Sequence, residues 1–273
     1  RCPGGARPLA PSGAAARPLN RRREVLAMAV VLTVLGCGDA FGSGGRFQTC
    51  FAIDAGETRV LLDCGASSLV AMRQIGVDPR TIDAIILTHL HGDHSGGLPF
   101  FILDAQFLSK RTAPLTVAGP PGTEARVVQA MEAFFPGSSG TTRKFELRFV
   151  ELPADAPTAV GKVVVTPTDV IHGSGAPAYA LRLEVDGRAI GYSGDTEWTE
   201  ALLPVARDAD LFICEASVFD KAIPGHITYT TLVARRAQLE CRRLLLTHLG
   251  PDVLARLDEL EIDAATDGQV ITL

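Results

Sequence analysis

Thr88-His-Leu-His-Gly-Asp-His-Ser-Gly-Gly97 decides the reading of this 273-residue chain. It continues Asp83-Ala-Ile-Ile-Leu-Thr88, an unbroken apolar run of strand length, as expected for a strand covered on both faces. His89 and His91 are separated by one residue. On an extended segment leaving that strand their side chains point the same way and can share one ion. Asp93 and His94 follow where the chain turns toward a helix, which redirects them toward a second ion nearby. Gly92, Gly96 and Gly97 permit the tight backbone this requires. Imidazole and carboxylate donors suit zinc, with manganese or iron as alternatives.

Outward from this segment, the other histidines of the six are His172, His226 and His248. His172 and His248 each fall just past an apolar strand and so can reach the same end of a sheet. Asp195, in Tyr192-Ser-Gly-Asp-Thr196, sits on a turn ending a strand, where the two oxygens of a carboxylate can bridge two cations. A lone histidine in such a turn is ordinarily a hydrogen-bonded turn residue. Beside H-x-H-x-D-H and Gly-Asp-Thr, the ligand reading is preferred.

The rest of the chain supplies a frame for these residues. Strands are expected at Val30–Leu35, Phe47–Ile53 and Thr58–Asp63, then at Leu115–Ala118, Phe145–Glu151, Lys162–Thr168, Ala178–Val185 and Ala189–Ser193. Asp186-Gly187 signals a hairpin between the last two. Further strands are expected at Leu211–Cys214, Leu244–Thr247 and Gln269–Leu273. Helices are expected at Ser67–Ile75, Gly97–Lys110, from Thr123 through Glu132, from Thr228 to about Glu240, and at Pro251–Leu260. Two similar halves, each of strands then helices, predict an α/β sandwich with helices on both outer faces.

At 47% hydrophobic residues the chain can bury one large core, and no linker after residue 25 marks a boundary. A formal net charge of −5 argues against a surface built throughout for nucleic acid. The six cysteines show no C-x-x-C spacing and read as buried free thiols in a reducing, cytoplasmic compartment. Residues 1–27, rich in Arg, Pro, Ala and Gly, are expected to be a disordered extension preceding one domain over 28–273, with Met28 as a candidate start. Arg21 to Cys37 imitates a secretion signal with a lipobox-like Leu35-Gly-Cys37, yet its apolar run is too short to span a bilayer. The strand reading is preferred because the following hairpin needs that strand as a partner.

Over Val30 to Leu273 these motifs resemble the metallo-β-lactamase-fold hydrolases. The resemblance implies a four-layer αββα sandwich with its site at one edge. It also implies one ion on His89, His91 and His172, a second on Asp93, His94 and His248, and Asp195 bridging. Two ions about 3.5–4 Å apart would hold the attacking hydroxide, with no protein nucleophile needed.

Gly225-His-Ile-Thr228 and Leu244-Leu-Leu-Thr-His248 resemble the Gly-His-Ser-Thr element and the Leu-Thr-His strand end of tRNase Z-like phosphodiesterases. By that resemblance His226 contacts the phosphate or protonates the departing oxygen, and Asp93 and His226 are the candidate catalytic residues. The pattern departs from that branch at Ile227, which replaces Ser, and after His248, where Leu-Gly-Pro-Asp follows. Residues 173–194 are too few for a tRNA-clamping arm as well as a hairpin, which favours the armless members that act on small or cyclic phosphodiesters. Thioester or lactone hydrolysis on the same scaffold is the alternative, and tRNA processing is disfavoured.

Arg46, beside a Gly-rich loop without a P-loop lysine, is a candidate cation for a substrate phosphate or a structural ion-pair partner. Glu215 resembles an acid that orients a ligand histidine, though a helix-cap role fits equally. The implied partners are a small phosphodiester, with nucleic acid not favoured, no membrane, and a homodimer as an open alternative.

Overall fold

In a computed structural model, residues 29–273 are described; the expected extension 1–27 and the Met28 start lie outside the described residues. Two sheets form the centre. The first runs β13-β1-β2-β3-β4-β5-β6 and the second β12-β11-β10-β9-β8-β7. Their strands are β1 Val30–Gly36, β2 Cys50–Ala55, β3 Thr58–Leu62, β4 Ala84–Ile86, β5 Leu115–Gly119, β6 Leu147–Glu151, β7 Thr158–Val160, β8 Val163–Asp169, β9 Tyr179–Val185, β10 Arg188–Tyr192, β11 Leu211–Glu215, β12 Leu244–Thr247 and β13 Val270–Thr272.

The apolar runs fit this arrangement because most strands are buried on both faces. In β2, Phe51 and Ile53 face the other sheet, while Cys50 and Ala52 face the outer helices. Ile86 of β4 faces inward and Ile85 outward in the same way. The helices Ser68–Ile75, Leu98–Phe107 and Thr123–Phe134 cover the first sheet. The short helices Leu202–Ala206, Tyr229–Arg235 and Pro251–Leu254 cover the second. The fold is therefore the expected αββα sandwich.

Several boundaries differ from expectation. The helix expected from Thr228 to Glu240 is α-helical only over Tyr229–Arg235 and tightens to a 3-10 turn at Arg236–Gln238. Its end is exposed and polar, and Leu239 is drawn back into the core, so nothing rewards a longer regular helix. Pro251–Leu260 likewise divides into Pro251–Leu254 and a 3-10 turn at Leu257–Glu259. The terminal strand β13 belongs to the first sheet. It pairs antiparallel with β1, Leu32 opposite Ile271, and so extends the first sheet.

β1 lies between β2 and β13, and Cys37 at its end is buried, its thiol donating to the Ala265 carbonyl at 3.3 Å. Cys37, Cys50, Cys64, Cys214 and Cys241 are free thiols, the first four buried. Among the described residues no helix is long and apolar enough to cross a membrane.

Parallel pairing of β3 with β4 and of β10, β11 and β12 with one another aligns their C-terminal ends. Asp63, His89, Asp195, Glu215 and His248 all leave strands at those ends, at one edge of the sandwich.

Candidate metal centre

Asp195 stands at the middle of the site and is 3% exposed. Its Oδ2 lies 3.9 Å from His89 Nε2, 4.0 Å from His172 Nε2 and 3.4 Å from His248 Nε2, and its Oδ1 lies 3.3 Å from His94 Nε2. Asp93 Oδ2 is 3.3 Å from His94 Nε2 and 3.2 Å from His248 Nε2. His91 Nδ1 approaches His172 Nε2 at 3.0 Å. The donor atoms of His89, His91 and His172 form one group, and those of Asp93, His94, Asp195 and His248 a second, each within 4.8 Å.

These residues fit a pair of metal ions. His89 Nε2, His94 Nε2 and Asp195 Oδ1 are buried and have no hydrogen-bond partner among the described residues, although they converge on one another. Orphaned buried polar atoms are costly, and a pair of cations, one on the His89 side and one on the His94 side with Asp195 between them, would satisfy all three. The seven candidate ligands named from the sequence are brought together in these two groups.

In His89, His94, His172 and His248 the other ring nitrogen is held from behind, which fixes its orientation. His94 Nδ1 lies 2.7 Å from Asp63 Oδ2, and Asp63 also accepts from the Thr88 N–H at 2.8 Å and the Tyr192 hydroxyl at 3.0 Å. Thr88 Oγ1 is 3.0 Å from His89 Nδ1. His172 Nδ1 donates to the Gly225 carbonyl at 2.8 Å, and Ser217 Oγ lies 3.4 Å from His248 Nδ1. His248 takes a left-handed conformation, φ 57°, while its N–H donates to the Cys37 carbonyl at 3.0 Å. Such a backbone in a non-glycine residue costs free energy and persists because its surroundings hold it.

Burial and the neighbouring carboxylates act in opposite directions on the rings. It pushes His89 well below the ordinary imidazole value. Burial also opposes charge on His94, but the Asp195 and Asp63 carboxylates override it and hold that ring well above its usual value. His248, against Asp195 and Asp93, is raised to about 9 despite its burial.

His226 stands apart from the ligands proper. Its ring stacks over His248 at 5.6 Å and meets His172 at 5.1 Å, and its side chain is 18% exposed, more open than His172 at 7%. Glu215 Oε1 and Oε2 lie 3.0 and 3.1 Å from its Nδ1. Glu215 is fully buried and also accepts from the Thr196 N–H at 2.7 Å, so its carboxylate links the Asp195 turn to His226. Glu215 thus faces His226, outside the two ligand groups, rather than one of the candidate ligand histidines, and its Oε2 also accepts from the Ser217 N–H at 3.3 Å. Burial opposes charge on His226, but the Glu215 carboxylate raises it above the ordinary value.

Sequence reasoning missed Asp63, Thr88, Tyr192 and the Gly225 carbonyl. An acid ending the apolar run Val60-Leu-Leu-Asp63 was the available signal for Asp63. Arg46 Nη1 donates to the Ala265 carbonyl at 2.7 Å and lies 3.3 Å from Cys37 Sγ. The ion-pair alternative for Arg46 finds no carboxylate partner among the described residues, and a carbonyl takes that place.

The family model for the beta-lactamase superfamily domain matches residues 58–249. The chain belongs to this superfamily. It is 27% identical to ribonuclease Z of Lachnoclostridium phytofermentans, over 81% of this chain and 87% of that protein. It is 28% identical to the probable metallo-hydrolase YhfI of Bacillus subtilis, over 80% of this chain and 86% of that one. The YhfI crystal structure superposes with a TM-score of 0.73, covering 90% of this chain and all of that one at 23% identity. A diphosphatase from the PhnP family shares the fold, with a TM-score of 0.70 at 20% identity over 89% of this chain and 97% of that one. These relatives agree with the resemblance to the tRNase Z-like branch.

Proposed function

We propose that this metallohydrolase is a phosphodiesterase acting on small or cyclic phosphodiesters, with a single domain from residue 28 onward doing the work. The observation that carries the reading is His226, backed by Glu215 and standing over the rings of both ligand groups at the open side of the site. His89, His91 and His172 would hold one divalent ion, and Asp93, His94 and His248 the other, with Asp195 between them. Such ions, zinc by donor chemistry, polarise a phosphoryl group and make water a nucleophile near neutral pH.

The protein's own contribution is orientation and a proton. Glu215 occupies His226 Nδ1, so Nε2 is the nitrogen left to face a substrate. An alkoxide leaving group is a poor one until protonated, and His226, whose protonated form the Glu215 carboxylate favours, would supply that proton. Asp93 and Asp195 face the Nε2 atoms of His94 and His248 at 3.3 and 3.4 Å and would share the second ion with them.

The ribonuclease Z relative favours a second reading, tRNA 3′ processing. Against it, β9 and β10 take up most of residues 173–194, leaving no arm between His172 and Asp195. The free buried thiols favour a cytoplasmic enzyme.

The test is a hydrolysis panel with metal-loaded protein: bis-p-nitrophenyl phosphate, cyclic nucleotides, a pre-tRNA, a thioester and a lactone. His226→Ala should keep its metals yet lose about 10²–10⁴ in rate on alkyl phosphodiesters, the usual worth of a positioned general acid. The loss should shrink on p-nitrophenyl esters, whose leaving group departs without a proton. No loss on either class would remove His226 from the reaction, and thioester or lactone turnover alone would overturn the phosphodiesterase reading.

A further inference from the structure

Arg126 is a cation beside the metal centre that neither motif nor resemblance singles out. It projects from the first turns of the helix Thr123–Phe134. Its Nη1 donates to the Leu90 carbonyl at 3.2 Å, and Leu90 is the residue between His89 and His91. Its Nη2 lies 3.9 Å from the point a Cβ on Gly175 would occupy, three residues beyond His172. Gly175 has φ 73° and no side chain, so the turn after His172 passes close to the guanidinium without covering it. Arg126 is half-buried, and among the described residues no carboxylate pairs with it.

One of five N–H donors therefore has a partner among the described residues, and Nη2 lies toward the turn that follows His172. The guanidinium meets the backbone of the ligand segments rather than the ligand atoms. It thus stands at the backbone side of the ligand segments, outside the groups of candidate donor atoms. From there it meets a group attached to the phosphoryl centre more readily than the centre itself. Two doubly charged ions already exceed the charge of Asp93 and Asp195 and can neutralise a phosphodiester. A second anionic group on the same substrate needs a cation of its own. A guanidinium with free parallel donors matches the oxygens of a phosphate.

We propose that Arg126, between the Leu90 carbonyl and the Gly175 turn, is a specificity residue that binds a terminal phosphate carried by the substrate beyond its scissile phosphodiester. The inference rests on the phosphodiesterase reading of the metal centre, and binding separates the two. Methylphosphonate and methylenediphosphonate are titrated calorimetrically into metal-loaded wild type, Arg126→Gln and Arg126→Lys, with metal content measured for each. Glutamine keeps a donor for the Leu90 carbonyl and removes the charge.

Arg126→Gln should weaken the diphosphonate on the order of tenfold while changing methylphosphonate much less, with metal content intact. Arg126→Lys should recover part of the loss. Equal weakening of both ligands, or loss of metal, would make Arg126 a brace for the His89–His91 turn and overturn the proposal. No change for either ligand would overturn it as well. A selective loss in a protein whose wild type hydrolyses no phosphodiester would support the Arg126 site and overturn the phosphodiesterase reading instead.

Discussion

Asp195 has contacts with four histidines drawn from three segments of the chain, and no other carboxylate in the site reaches so many. Asp195→Ala should therefore lose at least one of two bound ions together with activity. Metal analysis showing full occupancy in that variant would take Asp195 out of the site. A second expectation concerns a residue that touches no ion. Asp63 holds the outward nitrogen of His94, so Asp63→Asn should weaken metal binding by about 10–100-fold, the usual range for such partners. A competition titration with a chromogenic chelator measures this. Unaltered affinity would mean that the packing of His94, fully buried, fixes its ring without help.

Among the elements, the short helix Gly92–Ser95 is positioned by close backbone approach. A Cβ at Gly65 would lie 2.3 Å from the Asp93 carbonyl oxygen, and one at Gly97 would lie 2.3 Å from the Gly65 carbonyl oxygen. Both obstacles are backbone, so neither can swing aside. Gly65→Ala must shift the helix that carries Asp93 and His94. It should cost roughly 2 kcal/mol or more of stability and reduce metal content, while the more open Gly92 should tolerate alanine. Denaturant melts of the two variants decide it, and equal stability would show that the turn after β3 yields.

The whole molecule is joined at the site as well as through its core. His89, His91 and His94 follow a strand of the first sheet, while Asp195 and His248 follow strands of the second. Ions bound there stabilise only the arrangement in which both sheets are docked. At free metal about 100-fold above Kd the gain is about 2.7 kcal/mol for each ion. For a chain of this size that corresponds to roughly 5–10 °C in Tm. Chelation should lower Tm by that order while leaving one cooperative transition, as read by calorimetry. A chelated protein that melts in two separate steps would mean that the sheets are held together mainly by the metal.

Much of this was legible in the sequence because it is encoded at short range. An apolar run with histidines one, three and six residues past its end specifies a strand, a turn and a set of donors, so the candidate ligands could be read directly, and the resemblance they carry implied the four-layer sandwich. Helix ends were less legible, since Leu239 and its exposed polar neighbours obey the core they return to rather than local propensity. What tertiary structure alone decided is which distant residues stand behind the ligands. Asp63 meets His94 across 31 residues, Arg126 meets Leu90 across 36, and Tyr192 meets Asp63 across 129. The pairing of β13 with β1 belongs to the same class. Hydrophobic periodicity says that a residue or strand is buried but not what it is buried against. Only closure of the two sheets brings those partners within hydrogen-bond distance.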